Sequence, residues 1–124
     1  MTDPHPKTAL ILVDVINSFF DPRHPNHYPA ALEVLEPIRR LRARARDTGA
    51  VVVHAVERHR PGFDDYEWQR LPVHHLDGDH DAAFFAEFFP EGANETLILK
   101  RRFSAFFATD LALFLHEQGV ARIL

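Results

Sequence analysis

An unbroken apolar run, Thr8-Ala9-Leu10-Ile11-Leu12-Val13, ends in Asp14. Its length and β-branched content predict a strand buried on both faces, as in a parallel sheet. The polar, Pro-rich stretch from Asn17 to Pro29 predicts a loop. From Ala30 to Asp47 the period changes. Leu32, Leu35, Ile38, Leu41 and Ala45 recur every three or four residues, and Arg39, Arg40, Arg42, Arg44 and Arg46 take the other faces. That pattern predicts an amphipathic helix, and Gly49 stands where its stop belongs. Ala50 to Val56 predicts a second buried strand. Glu57 to Asp79 has no sustained period and carries Pro61, Gly62, Pro72 and Gly78. A long irregular segment in a compact domain is usually functional or poorly ordered. Residues 81–89 predict a short helix bearing Phe84, Phe85, Phe88 and Phe89. Glu95 to Leu99 predicts a third strand, ending at Lys100. Thr109 is placed to cap a helix from Asp110 to Gln118, which Gly119 stops. Arg122-Ile123-Leu124 opens what reads as a fourth strand.

Strands alternating with helices predict an α/β fold with a parallel sheet and right-handed crossovers. Because the chain ends inside an apolar strand, residues 1–124 are expected to form the N-terminal portion of one longer domain. Composition narrows the class. The chain has 124 residues with 46% apolar and 26% charged, the proportions of a globular domain rather than a disordered one. A net charge of −4 argues against a general nucleic-acid partner. No apolar run approaches the ~20 residues of a membrane span, and the start lacks the pattern of a secretory signal. A cytoplasmic location and a small-molecule partner are therefore expected. Cysteine is absent, which removes disulfides, thiolate metal sites and any cysteine nucleophile supplied by these residues. The Phe pairs have two readings, an aromatic core or the walls of an apolar pocket.

Ligands of open α/β sheets bind beyond the carboxyl ends of the strands. Asp14 lands there after strand one, Glu57 with His59 after strand two, and Lys100 after strand three. Singly, such an Asp is a loop cap and such a Lys a solvated charge. Together in a cleft they can serve one nucleophile, the carboxylate taking its proton and the ammonium favouring the anion. No G-x-G-x-x-G follows strand one, and neither G-x-x-x-x-G-K-[ST] nor G-x-S-x-G occurs. A phospho-receiver domain also pairs Asp with Lys, but it needs a phosphorylatable Asp after strand three, where Lys100 stands.

Leu12-Val13-Asp14-Val15-Ile16-Asn17-Ser18-Phe19 resembles the opening strand of the isochorismatase-like cysteine hydrolases. Lys100-Arg101-Arg102-Phe103-Ser104-Ala105-Phe106-Phe107-Ala108-Thr109-Asp110-Leu111 is similar to that family's K-x-R-[FY]-S-A-F-x-x-T-x-L segment. The resemblance runs from about Thr8 to Leu124. It implies a three-layer α/β/α fold (Rossmann-like) around six parallel strands, of which three to four would lie here. It also implies an Asp–Lys–Cys triad that cleaves the C–N bond of a small amide. Asp14 would be the general base and Lys100 its positive partner. The Cys would lie beyond Leu124, so these residues alone are expected to be inactive. The alternative is an inactive binding module that keeps the fold and the Asp–Lys pair. A homo-oligomer is implied for the complete protein.

Glu57-Arg58-His59 and Pro72-Val73-His74-His75 resemble the metal segments of the nicotinamidase branch. That likeness places Glu57, His59 and His74 as ligands of zinc, iron or manganese, although the chemistry itself requires no cofactor. Glu57 stands where that branch has Asp, and His75 where it has Cys. The competing reading is a set of solvated loop histidines, with His75 and His80 as surface residues or loop hydrogen-bonders. Phe19, Trp68 and Phe106 are candidate pocket walls. Core packing competes for Phe106, and a lid or an oligomer contact for Trp68.

Overall fold

A computed structural model describes residues 6–124. Four parallel strands form one sheet: β1 (Thr8–Val13), β2 (Val51–Glu57), β3 (Glu95–Lys100) and β4 (Arg122–Ile123), in the order β3-β2-β1-β4. All seven β2 residues are buried, as befits a strand with a neighbour on each side and a layer on each face. Strand alternation divides the core. Leu10, Leu12 and Val52 face helix α2 (Leu35–Thr48), packing with Leu35 and Ala45. Ala9, Val51, Val53, Ala55 and Ile98 face helix α3 (Leu111–Glu117), packing with Leu111 and Leu115. This is the three-layer α/β/α arrangement.

The first predicted helix is shorter than its apolar period. Pro29–Val34 is a 3₁₀ turn, and the α-helix starts at Leu35. Pro37 explains the break: it has no N–H for the carbonyl of Glu33, and its ring crowds that carbonyl in a continuous α-helix. The inward face also differs from the prediction. Leu35, Arg42 and Ala45 are buried, whereas Leu32 and Leu41 are 44% and 48% exposed. Arg42 displaces Leu41 because its guanidinium has somewhere to go. Its Nε donates to Glu95 at 3.1 Å, and its Nη1 and Nη2 donate to the carbonyls of Glu87 and Phe89.

Two further departures concern the loops. Within the predicted 17–29 loop, Asn17–Phe20 forms a short helix, α1. Residues 81–89 form no helix; Phe84 instead makes an antiparallel bridge to Ile16, and Ala86 has a φ of +48°. The segment crosses α1 as a series of turns, and the carbonyls of Ala83 and Asp81 accept the N–H groups of Asn17 and Ser18, both at 2.9 Å. Those are first-turn donors that a helix cannot satisfy by itself. Tertiary pairing thus outweighs a weak local preference, and it drops Phe88 into the core at 0% exposure. At α3, the Thr109 hydroxyl accepts the Leu111 N–H at 3.2 Å, with Asp110 as the boundary residue.

Glu95 opens β3 with its side chain 2% exposed. Its Oε1 accepts from His54 Nε2 at 2.8 Å as well as from Arg42, and its Oε2 accepts from Arg46 Nη2 at 2.8 Å. Burial pushes this carboxyl up, but the bonds from His54, Arg46 and Arg42 outweigh it and bring it down to about 2. The native carboxyl therefore stays ionised where the unfolded one, near 4.5, takes up a proton. Its stabilisation is complete above the unfolded value and fades as pH falls towards 2. At about 1.4 kcal/mol per unit, the E95Q variant should lose up to about 3 kcal/mol at pH 7. Urea unfolding at stepped pH should show a flatter acid limb for E95Q than for the parent. Parallel limbs would mean that Glu95 is not the titrating group.

Candidate active site

The carboxyl edge of the sheet gathers the charged residues. β1 ends at Val13, and Asp14 turns with a φ of +55°. Asp is among the few residues that adopt this left-handed region readily. Its N–H still donates to the Ala55 carbonyl at 2.9 Å, so the backbone stays tied to β2 while the side chain swings across the edge. Asp14 Oδ1 accepts the Glu57 N–H at 2.8 Å, and Oδ2 meets Lys100 Nζ at 2.9 Å. Lys100 is the last residue of β3 and sits in register with Glu57. β2 lies between the two partners, so the pair spans the end of the central strand. The Lys100 side chain is 1% exposed and that of Asp14 21%, so the carboxylate is the member that can be reached.

A second cluster lies at the same edge. Glu57 Oε1 is 3.0 Å from His59 Nε2 and 3.2 Å from His74 Nε2. The other nitrogens of both rings are spent: His59 Nδ1–H donates to Asp65 Oδ2 at 2.7 Å, and His74 Nδ1–H donates to the Pro72 carbonyl at 2.6 Å. Both rings therefore turn Nε2 towards one point. His75 completes the surround, its Nδ1–H donating to Glu57 Oε2 at 2.6 Å. Burial pushes the Glu57 carboxyl up, but hydrogen bonds from His75 and His59 outweigh it and hold the group below the usual carboxylate range. Asp65 is likewise pushed up by burial, then brought to about 2 by the Glu67 N–H and His59.

Glu57, His59 and His74 converge, and His59 is buried, so they are not a set of separate solvated loop histidines. His75 is not a surface residue; it is 2% exposed. His80 is exposed and joins His24 at 2.8 Å, beside an Asp21 already bonded to Arg23. Glu67 was missed. Its Oε2 lies 3.4 Å from His59 Nε2 and 3.6 Å from His74 Nε2. Burial and the Glu57 charge push its carboxyl up. The signal available was an acidic pair, Asp65 and Glu67, between the two histidine segments, one residue before the tryptophan that was singled out.

The three aromatic candidates separate. Phe19 sets its ring edge-on to His75, 5.5 Å between centroids. Trp68 lies 4.7 Å from the His59 ring and 5.3 Å from the His74 ring. Phe106 is 47% exposed on the turn after β3, which rules out plain core packing for it.

The chain matches the isochorismatase domain over residues 8–124. It belongs to the isochorismatase family. A maleamate amidohydrolase of Pseudomonas putida is 37% identical over 123 residues, 95% of this chain and 57% of that protein. The N-carbamoylsarcosine amidase of Thermoplasma acidophilum superposes with a TM-score of 0.83 at 28% identity, over 94% of this chain and 65% of that one. The pyrazinamidase of Pyrococcus horikoshii, solved in complex with zinc, gives 0.79 at 25% identity, over 95% and 68%. The chain thus spans little more than half the length of the amidohydrolase it matches.

The unequal burial of the Asp14–Lys100 pair sets an order of stability. D14N removes the counter-charge of a buried ammonium, leaving it the Arg102 carbonyl at 3.3 Å, while its Asn tolerates the same left-handed backbone. K100M leaves a carboxylate that still accepts the Glu57 N–H and reaches water. D14N should cost about 3 kcal/mol or more, and K100M less. Chemical denaturation of both variants checks the order; equal losses, or the reverse order, would refute the assigned burial asymmetry.

Proposed function

We propose that this isochorismatase-family chain supplies the base and the cation of an amide hydrolase, working with a cysteine thiol from outside its 124 residues. The observation that carries the reading is the 2.9 Å Asp14–Lys100 pair on the carboxyl edge of a parallel sheet. Asp14 accepts the thiol proton through the carboxylate that solvent can reach. Lys100, fixed by burial, keeps its positive charge beside the resulting thiolate. The sulfur attacks the carbonyl carbon, the C–N bond breaks, and the proton on Asp14 leaves with the amine. Water then cleaves the thioester, releasing the acid and restoring the thiol. A maleamate amidohydrolase among the relatives supports a small amide as substrate, with Phe19 and Trp68 as its walls. Exposed Leu97, Leu99 and Phe107 near the free edge of β3 support a homo-oligomer.

The same reading gives Glu57, His59 and His74 a divalent zinc, iron or manganese ion. The residues fit it. With both Nδ1–H groups donated, each Nε2 can bond Glu57 Oε1 only by carrying a second proton; a divalent cation could take the place of those protons and accept both Nε2 lone pairs. Bound there, the ion supplies a Lewis acid that can anchor a donor atom of the substrate. The chain's own part is to hold the two rings, through Asp65 and Pro72, and to exclude water with Trp68.

Activity tests separate the parts. The 124 residues alone should turn over neither maleamate nor nicotinamide above a D14A control. Joined to a cysteine-bearing remainder, they should hydrolyse such an amide. K100A in that longer protein should lower kcat by roughly 100-fold or more and change KM little. A K100A variant with normal kcat and raised KM would make Lys100 a substrate anchor instead.

A further inference from the structure

We infer that the cavity between the end of β2 and the turn after β3 binds a small organic oxyanion, a carboxylate or a phosphate ester, through Arg58, Arg60 and Arg101. The cavity measures about 320 Å³, within the range of small-molecule sites. Those three guanidiniums and that of Arg102 line it, against a single carboxylate, Asp77. The chain as a whole has a net charge of −4, so this excess is local. Clefts walled by one sign of charge concentrate ions of the other. Leu99 and Phe107 complete the wall, which suits an anion with an apolar body.

Three of the four guanidiniums lack a close anionic partner. Arg58 Nε is buried without a hydrogen-bond partner among the described residues. Its Nη2 donates to the Ala82 carbonyl at 3.1 Å, but its Nη1 stays 3.7 Å from Asp77, beyond hydrogen-bond reach. Arg101 Nη1 lies 3.9 Å from Asp65, whose two oxygens already accept from Arg102, the Glu67 N–H and His59. Arg60 is exposed and pairs with no carboxylate among the described residues. A guanidinium presents paired donors that match the oxygens of a carboxylate or a phosphate. The site is also separate from the Asp14–Lys100 pair. The β2–β3 ladder continues through Arg58, whose N–H donates to the Lys100 carbonyl at 2.9 Å. Arg58 follows Glu57 and Leu99 precedes Lys100, so alternation sends their side chains to the opposite face of the sheet. There the Arg58 guanidinium lies over the Phe84 ring, 5.5 Å from its centroid. An anion held by Arg58, Arg60 and Arg101 would bridge the start of the irregular segment to the turn after β3.

The test titrates the protein with phenyl phosphate and with benzoate by calorimetry at low ionic strength, where charge pairing is least screened. Benzyl alcohol serves as the uncharged probe. One of the anions should bind with one-to-one stoichiometry, and which of them binds more tightly identifies the head group; benzyl alcohol should not bind. R60A and R101A, both at exposed positions, should each raise Kd by about tenfold or more. R44A removes an exposed arginine of α2, away from the cavity, and should leave Kd unchanged. Equal weakening in R44A and R60A would reduce the effect to general charge and overturn the site. Parent-like binding in both R60A and R101A would place the anion elsewhere and overturn it too, as would a parent that binds neither anion. None of these outcomes touches the Asp14–Lys100 reading, which amide turnover tests.

Discussion

The last residue of β2 carries a charge where the sheet has the least room for one. Glu57 closes a strand whose seven residues are all buried, and its side chain is 5% exposed. A carboxylate in such a place must be surrounded by donors or stay protonated. His75 Nδ1–H donates to it at 2.6 Å, and His59 and His74 bring their Nε2 atoms to 3.0 and 3.2 Å of its other oxygen. Its backbone serves elsewhere: the N–H goes to Asp14 Oδ1, and the residue sits in register with Lys100. The Asp–Lys pair and the histidine cluster are therefore not two neighbouring sites by accident of folding. They share one residue, main chain for one and side chain for the other.

That sharing shapes the irregular segment from Glu57 to Asp79. Its order comes from polar tethers rather than from a secondary-structure ladder. His59 bridges to the strand-like Leu76 and bonds its backbone to His75 at 2.8 Å, while Asp65 joins the 3₁₀ turn to the His59 ring. Arg102, just past β3, closes the loop onto Asp65 at 2.9 Å. The long connection is thus pinned at its start, middle and end, and Trp68 is laid against two of the histidines. Loops that carry chemistry need such fixation, because orientation is much of what a site supplies.

What could be read from the sequence follows from which physics is local. The strand cores announce themselves because parallel strands bury both faces, and Thr8–Val13 and Val51–Glu57 are apolar almost throughout. Parallel topology then places Asp14, Glu57 and Lys100 on one edge without further information. The helix failures have the opposite origin. Arg42 reads as solvent-facing until Glu95, 53 residues away, is known to sit beneath it. Residues 81–89 read as helical until α1 needs acceptors for its first N–H groups. Glu67 was illegible for the same reason: it stands in a stretch without period, and its value lies in distances to His59 and His74 that no local rule encodes.

The two buried charge clusters at opposite ends of β2 and β3 show how a structural network differs from a working one. At the amino end of β3, Glu95 has both oxygens bonded, and each guanidinium that reaches it also has carbonyl partners. Nothing there is left over, and such closure fixes a helix to a sheet. At the carboxyl edge the accounting does not close. Glu67 Oε2 and His75 Nε2 are buried without partners, and two carboxylates lie where their charges oppose each other. A fold that satisfies every buried polar atom around Glu95 has no difficulty making such networks. The open one around Glu57 lies instead on the edge where Asp14 and Lys100 meet, so the buried polar atoms without partners and the charged pair gather at the same end of the sheet.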